Sequence, residues 1–87
     1  IFWLGRVYFM RGEFEKAAMT FSEFNSAFPG DARLVDTTMW IAESVSQFAP
    51  PAQACEIYAS LPQLIDTPPD TFLEQLSKLS DDANCPN

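Results

Sequence analysis

The chain predicts an all-α fold: tandem helix–turn–helix repeats winding into a right-handed α-superhelix, closed by a C-terminal capping helix. Three observations predict it. The first is internal repetition. Leu4, Gly5, Tyr8, Gly12, Ala17, Phe21 and Phe24 are answered 37 residues later by Ile41, Ala42, Val45, Ala49, Ala54, Tyr58 and Leu61. A period in this range marks a supersecondary unit stacked on copies of itself. The second is the helical spacing of apolar residues within each unit. The third is the punctuation, since Gly12, Pro29-Gly30 and Pro50-Pro51 fall between the apolar runs.

The elements follow in order. Residues 1–10 make a first helix, in which Gly5 lets a neighbouring helix come close while Leu4 and Tyr8 fill the space beside it. Arg11-Gly12-Glu13 is the corner, with glycine supplying the backbone freedom a tight turn needs. A second helix over 14–28 places Phe14, Ala17, Ala18, Phe21, Phe24 and Phe28 on one stripe, and Pro29-Gly30-Asp31 stops it. A third runs from about Arg33 to Gln47, with Val35, Met39, Ile41, Ala42 and Val45 as inward candidates. Phe48-Ala49-Pro50-Pro51 forms the next corner. Proline is tolerated at the start of the fourth helix, Pro51 to Ser60, because first-turn amides have no partner within the helix. Pro62 disfavours helical geometry at Leu61 and ends or kinks that helix. Thr67-Pro68-Pro69-Asp70 opens the last helix as a threonine cap with an acid three residues on, and Phe72, Leu73, Leu76 and Leu79 give it an apolar face. The tail from Ser80 to Asn87 reads as loose unless Cys85 ties it down. The units are thus 1–31, 32–65 and 66–87.

Composition bounds the function. The 87 residues suit one small domain, and 47% hydrophobic content argues against disorder. No apolar run approaches the roughly 20 residues that span a bilayer, so membrane insertion is not expected. The net charge is −7 and unevenly spread. Residues 1–33 balance Glu13, Glu15, Glu23 and Asp31 against Arg6, Arg11, Lys16 and Arg33, whereas 34–87 hold eight acids against Lys78 alone. Nucleic acid and anionic lipid are disfavoured partners, because both are bound through Lys and Arg. A basic or neutral protein suits this surface better, though acidity also serves solubility alone. The opening Ile1-Phe2-Trp3-Leu4-Gly5 reads as mid-helix, without a start methionine, cap or signal peptide, which suggests a fragment or processed product.

Catalysis finds little footing. There is no histidine, so the commonest general base near neutral pH is missing. The carboxylate pairs Glu13/Glu15 and Asp81/Asp82 fall in turn and tail segments and read as solvated surface. Neither metal nor cofactor is expected, since two thiols without histidine do not make a zinc site. The two cysteines, Cys55 and Cys85, leave two readings open. They form a disulfide pinning the tail to the fourth helix, or one is a buried thiol and the other an unrelated exposed one. The disulfide is preferred, because an exposed unpaired thiol is a liability, and it places the protein outside the cytoplasm.

The candidate binding residues lie on the first and third helices, on the side that faces the inner groove of stacked helical repeats. They are Phe2, Arg6, Phe9 and Met10 on the first, and Asp36, Met39, Glu43 and Gln47 on the third. Aromatic and methionine contacts rimmed by Arg6 and Glu43 suit a peptide or helix with apolar anchors. The alternative for Phe2 and Phe9 is packing against an upstream repeat.

The helix–turn–helix pattern resembles the tetratricopeptide repeat. The run WLGRVYFMRGEFEKAAMTFSEF, a following proline, a second repeat with Ala54-Cys55, a final helix and Cys85 together resemble the C-terminal domain of the CpoB/YbgF family of the Tol–Pal system of Gram-negative envelopes. The resemblance implies a periplasmic adaptor, exported by a signal peptide, with an upstream coiled coil through which it oligomerises. It also implies binding to TolA, with a peptidoglycan synthase as a further partner, and a role in coordinating peptidoglycan synthesis with outer-membrane constriction at cell division. No catalytic residues carry over. The chain departs from the common pattern at Pro50-Pro51 and in its proline-rich 62–69 stretch, which leaves the course of the fourth helix open. The alternatives are a scaffold domain of an outer-membrane assembly lipoprotein and a regulatory module of an envelope enzyme. A co-chaperone clamp is disfavoured, since it would need Lys and Asn where Phe2, Arg6, Phe9, Met39 and Glu43 stand.

Overall fold

Apolar stripes at three- and four-residue spacing can be buried only against one another, and among the described residues they assemble into five α-helices. The computed structural model describes the backbone of residues 2–86 and the side chains of 3–86. The helices are α1 (Phe2–Met10), α2 (Phe14–Ala27), α3 (Leu34–Phe48), α4 (Pro51–Ser60) and α5 (Asp70–Asp82), with a 3-10 turn at Leu61–Leu64 between the last two. No strand occurs among the described residues. The predicted boundaries hold to within a residue or two for the first four helices. Pro62 acts as expected, since the α-helix gives way at Leu61 to the tighter 3-10 turn.

The chain order places α1 and α2 as one helical pair, α3 against α2, and α5 against both α3 and α4. The core gathers Ala17, Phe21, Ile41, Ala42, Val45, Ala54, Tyr58 and Leu61 with Phe72 and Leu76 of α5. Most of the residues that repeat across the 37-residue offset therefore meet in one interior. Gly5 performs its predicted task. A β-carbon built there would lie 2.8 Å from a ring carbon of Phe21, so only glycine lets α1 approach α2 this closely. Leu4 does not pack as expected. It is 48% exposed, as is Phe28 at the end of the α2 stripe.

Two helices end in the same hydrogen-bonded closure. At α1 the Glu13 N–H donates to the Tyr8 carbonyl and the Gly12 N–H to that of Phe9, with Gly12 at φ +80°. At α5 the Cys85 N–H donates to the Ser80 carbonyl and the Asn84 N–H to that of Asp81, with Asn84 at φ 56°. Both are Schellman motifs, and asparagine is the non-glycine residue that best tolerates the left-handed conformation. The tail reads as loose unless Cys85 ties it down, and Cys85 does tie it, through its bond to Cys55. The helix continues to Asp82, and the closure aims Cys85 back at α4. The threonine cap is corrected: α5 begins at Asp70 behind an extended Pro69, and no side chain caps it.

α3 is more deeply buried than its apolar pattern announced. Thr37, Thr38 and Ser44 are all fully enclosed. Their hydroxyls are satisfied locally, Thr38 donating to the Leu34 carbonyl at 2.6 Å and Ser44 to that of Trp40 at 2.8 Å. Thr37 donates to Asn25 Oδ1 at 2.5 Å, and Asn25 Nδ2 donates to Thr38 Oγ1 at 3.1 Å. One asparagine of α2 thus bridges two threonines of α3.

Candidate functional site

The residues expected to form an inner face divide into those enclosed by packing and those presented to solvent. Phe9 is half-buried, edge-on to Phe14 at 5.1 Å and to Trp40 at 4.9 Å between ring centroids. It is held by rings of α2 and α3. Met10 is 80% exposed. The side chain of Phe2 lies outside the described residues. On α3, Asp36 and Gln47 are exposed, whereas Met39 and Glu43 are half-buried.

What brings these groups together is Trp40, which the sequence reading passed over. Its ring stacks on Phe21 at 5.7 Å and 18°, and it lies under the Arg6 guanidinium at 5.6 Å. Arg6 also stands over Trp3 at 4.9 Å. A guanidinium between two indoles is held by the negative faces of both rings. Arg6 Nε is buried and has no hydrogen-bond acceptor among the described residues. The spacing of Asp36, Trp40, Glu43 and Gln47 is one helical stripe, and that periodicity is the signal that could have found Trp40.

Two cavities continue this surface along α3. One of about 230 Å³ is lined by Asp36, Met39, Trp40 and Glu43 of α3 and Gln75 of α5. The other, about 450 Å³, lies beyond Glu43 and is bounded by Gln47, Tyr58, Leu79 and Asp82. Glu43 is the shared wall. The face therefore sets the Arg6 cation over Trp40, with Asp36 one turn before that ring and Glu43 one turn after it along α3. Tyr58 at the far end has its hydroxyl pKa raised above the ordinary 10.0, first by burial and then by the negative charges of Glu43 and Asp82. A phenolate there would be poorly solvated and would face two carboxylates, so Tyr58 is held as a neutral donor.

Between α4 and the end of α5, Cys55 and Cys85 are joined in a disulfide, with 5.5 Å between their α-carbons. Of the two readings left open above, the structure carries the bonded one. Among the described residues, no group of three or more His, Cys, Asp or Glu converges on a metal-sized site. No helix among them is long and apolar enough to cross a membrane. Compared with known proteins, the chain matches no protein-family model, no curated sequence and no solved structure.

Proposed function

We propose that this chain is a protein-binding module whose ligand is an extended or helical segment laid along the α1–α3–α5 face. The observation that carries this reading is Arg6. Its charge stands over Trp3 and Trp40 on a side chain only half-buried, which leaves the guanidinium able to meet a carboxylate brought by a partner. The cavity beside Trp40 offers Met39 to an apolar anchor and Asp36 and Glu43 to cations. A ligand with an acid flanked by basic residues would match this order of charges, since charges flanking an interface set register.

The finer reading follows the resemblance. The α1/α2 and α3/α4 pairs are two tetratricopeptide-like repeats, and α5 lies against α3 where the first helix of a third repeat would stand. The module works in the periplasm as part of the Tol–Pal system, with TolA as its partner in coordinating cell-wall synthesis and constriction. The disulfide supports an oxidising compartment.

Titration calorimetry with the periplasmic part of TolA tests this. Arg6→Glu and Glu43→Lys should each weaken binding about tenfold, the second also flattening its salt dependence. Met39→Ala should speed dissociation. Absence of TolA binding by the parent chain would remove the Tol–Pal assignment. Unchanged affinity in all three folded variants would remove the inner face as the site.

A further inference from the structure

A second apolar groove lies on the other side of α3, where α4 diverges from α2. It is about 610 Å³, floored by Ile41 and Val45, and walled by Met19 and Ala18 of α2 and Ile57 of α4, with Leu64 of the 3-10 turn closing one end. The divergence has a sequence origin. Pro62 stands in the 3-10 turn that follows α4, and that turn sets Leu64 at the end of the hollow beside Ser22 of α2. The side chains at its mouth are large and solvent-facing: Met19 is 60% exposed, Leu64 52% and Phe48 41%. A smaller hollow of about 410 Å³ continues past Ser22, Asn25 and Pro29, sharing Ile41 and Leu64 with the first.

The charges at the rim select the occupant. Glu15 and Glu23 stand along the α2 edge, and no lysine or arginine lines either hollow. The two acids are eight residues apart on one helix, about 12 Å along its axis. That is two turns of a second helix laid beside α2. We infer that this groove docks an amphipathic helix of a partner protein, one with apolar anchors at helical spacing and lysine or arginine on the flank that meets Glu15 and Glu23. Methionine at the centre suits such a surface, because its unbranched thioether adapts to anchors of different shape. The rim acids accelerate and orient the encounter while Met19 and Leu64 carry the buried contact. This surface is separate from the α1–α3–α5 face, and neither reading depends on the other.

The probe is a synthetic helical peptide of about 18 residues, with leucines at i, i+4, i+7 and i+11 and lysines beside them, set against a peptide with glutamate in place of each lysine. With the isotope-labelled full chain, the lysine peptide should shift the amide resonances of Met19, Ile57 and Leu64. The glutamate peptide should bind at least tenfold more weakly at low salt. Met19→Asp should weaken the lysine peptide about tenfold, with Leu64→Gln as the second variant should the first not fold. Glu15→Lys with Glu23→Lys should abolish or reverse the preference between peptides, with a fall of a few degrees in melting temperature because Glu15 lies in the first turn of α2. Resonance shifts confined to Arg6, Met39 and Trp40 would place binding on the inner face and overturn the inference. So would equal binding of the two peptides. A dimer of the free chain that Met19→Asp dissolves would make a second copy the occupant and equally overturn it.

Discussion

The amino-terminal three helices and the carboxy-terminal pair hold together by different means. α2 and α3 bury five and six residues respectively, and the rings of Phe9, Phe14, Phe21 and Trp40 interlock α1, α2 and α3. Asn25 adds hydrogen bonds across the α2–α3 seam. α4 and α5 bury only two residues each, Ala54 with Tyr58 and Phe72 with Leu76. They are joined instead by the Cys55–Cys85 disulfide and the Schellman closure that presents Cys85 to it. Where aromatic area is plentiful, burial and the Asn25 hydrogen bonds hold the helices. Where each helix buries fewer residues and prolines interrupt, a covalent link adds to the burial. The same division shapes both surfaces, since loosely joined α4 leaves the outer groove open while tightly packed α3 presents the inner face.

The sharpest way to break this contrast is to remove the central ring. Phe21 is fully buried and stacked on Trp40, so Phe21→Ala should cost about 3–5 kcal/mol. That is a large part of the stability of a small domain, and chemical denaturation followed by circular dichroism should show the midpoint collapse. A midpoint near that of the parent would mean the ring cluster is not what holds the amino-terminal half.

Reducing the disulfide tests the other half. The bond spans 30 residues, and opening it should cost about 3–4 kcal/mol in the chain-entropy model. The loss should be local. Amide hydrogen exchange should accelerate in α4 and α5 while α2 and α3 keep more of their protection. Uniform acceleration over all five helices would show that the two regions open as one unit and erase the distinction.

Gly5→Ala sharpens the account of the amino-terminal half, because two effects oppose each other. Alanine gains about 1 kcal/mol of helix propensity. Its β-carbon meets three atoms of the Phe21 ring at 2.8 to 3.0 Å. That ring is fully buried and cannot swing away, so overpacking wins and the variant should lose about 1 kcal/mol net. A more stable variant would mean that α1 can shift off α2 without cost.

The smallest effect lies in the carboxy-terminal half. Because the pKa of Tyr58 is raised in the folded chain, the group binds its proton more tightly there than in the unfolded chain. Its contribution to stability is complete below the unfolded value near 10 and declines as pH rises through the folded value. Tyr58→Phe should weaken the alkaline loss of stability, and ultraviolet titration should show a late-ionising phenol absent from the variant.

Local chemistry made much of this molecule legible from its residues. Helix extents follow from apolar spacing and from Gly12, Pro29, Pro51 and Pro62, because these act within a few residues of themselves. Gly5 and the cysteine pair were also readable, one as a small residue in an apolar stripe and the other as two thiols without an alternative use. What required the tertiary structure was every question about a second covered face. Thr37, Thr38 and Ser44 are polar, and nothing local says that α3 is enclosed by α2, α4 and α5 so that their hydroxyls turn to carbonyls and to Asn25. Trp40 became the centre of the inner face only once α1 and α2 set Arg6, Phe9 and Phe21 around it. Leu4 and Phe28 stayed about half exposed, Phe28 with its ring 5.3 Å from that of Phe24 one turn back. Periodicity states which face of a helix must be buried first. Which others become buried, and which stay open as grooves, depends on where distant segments arrive.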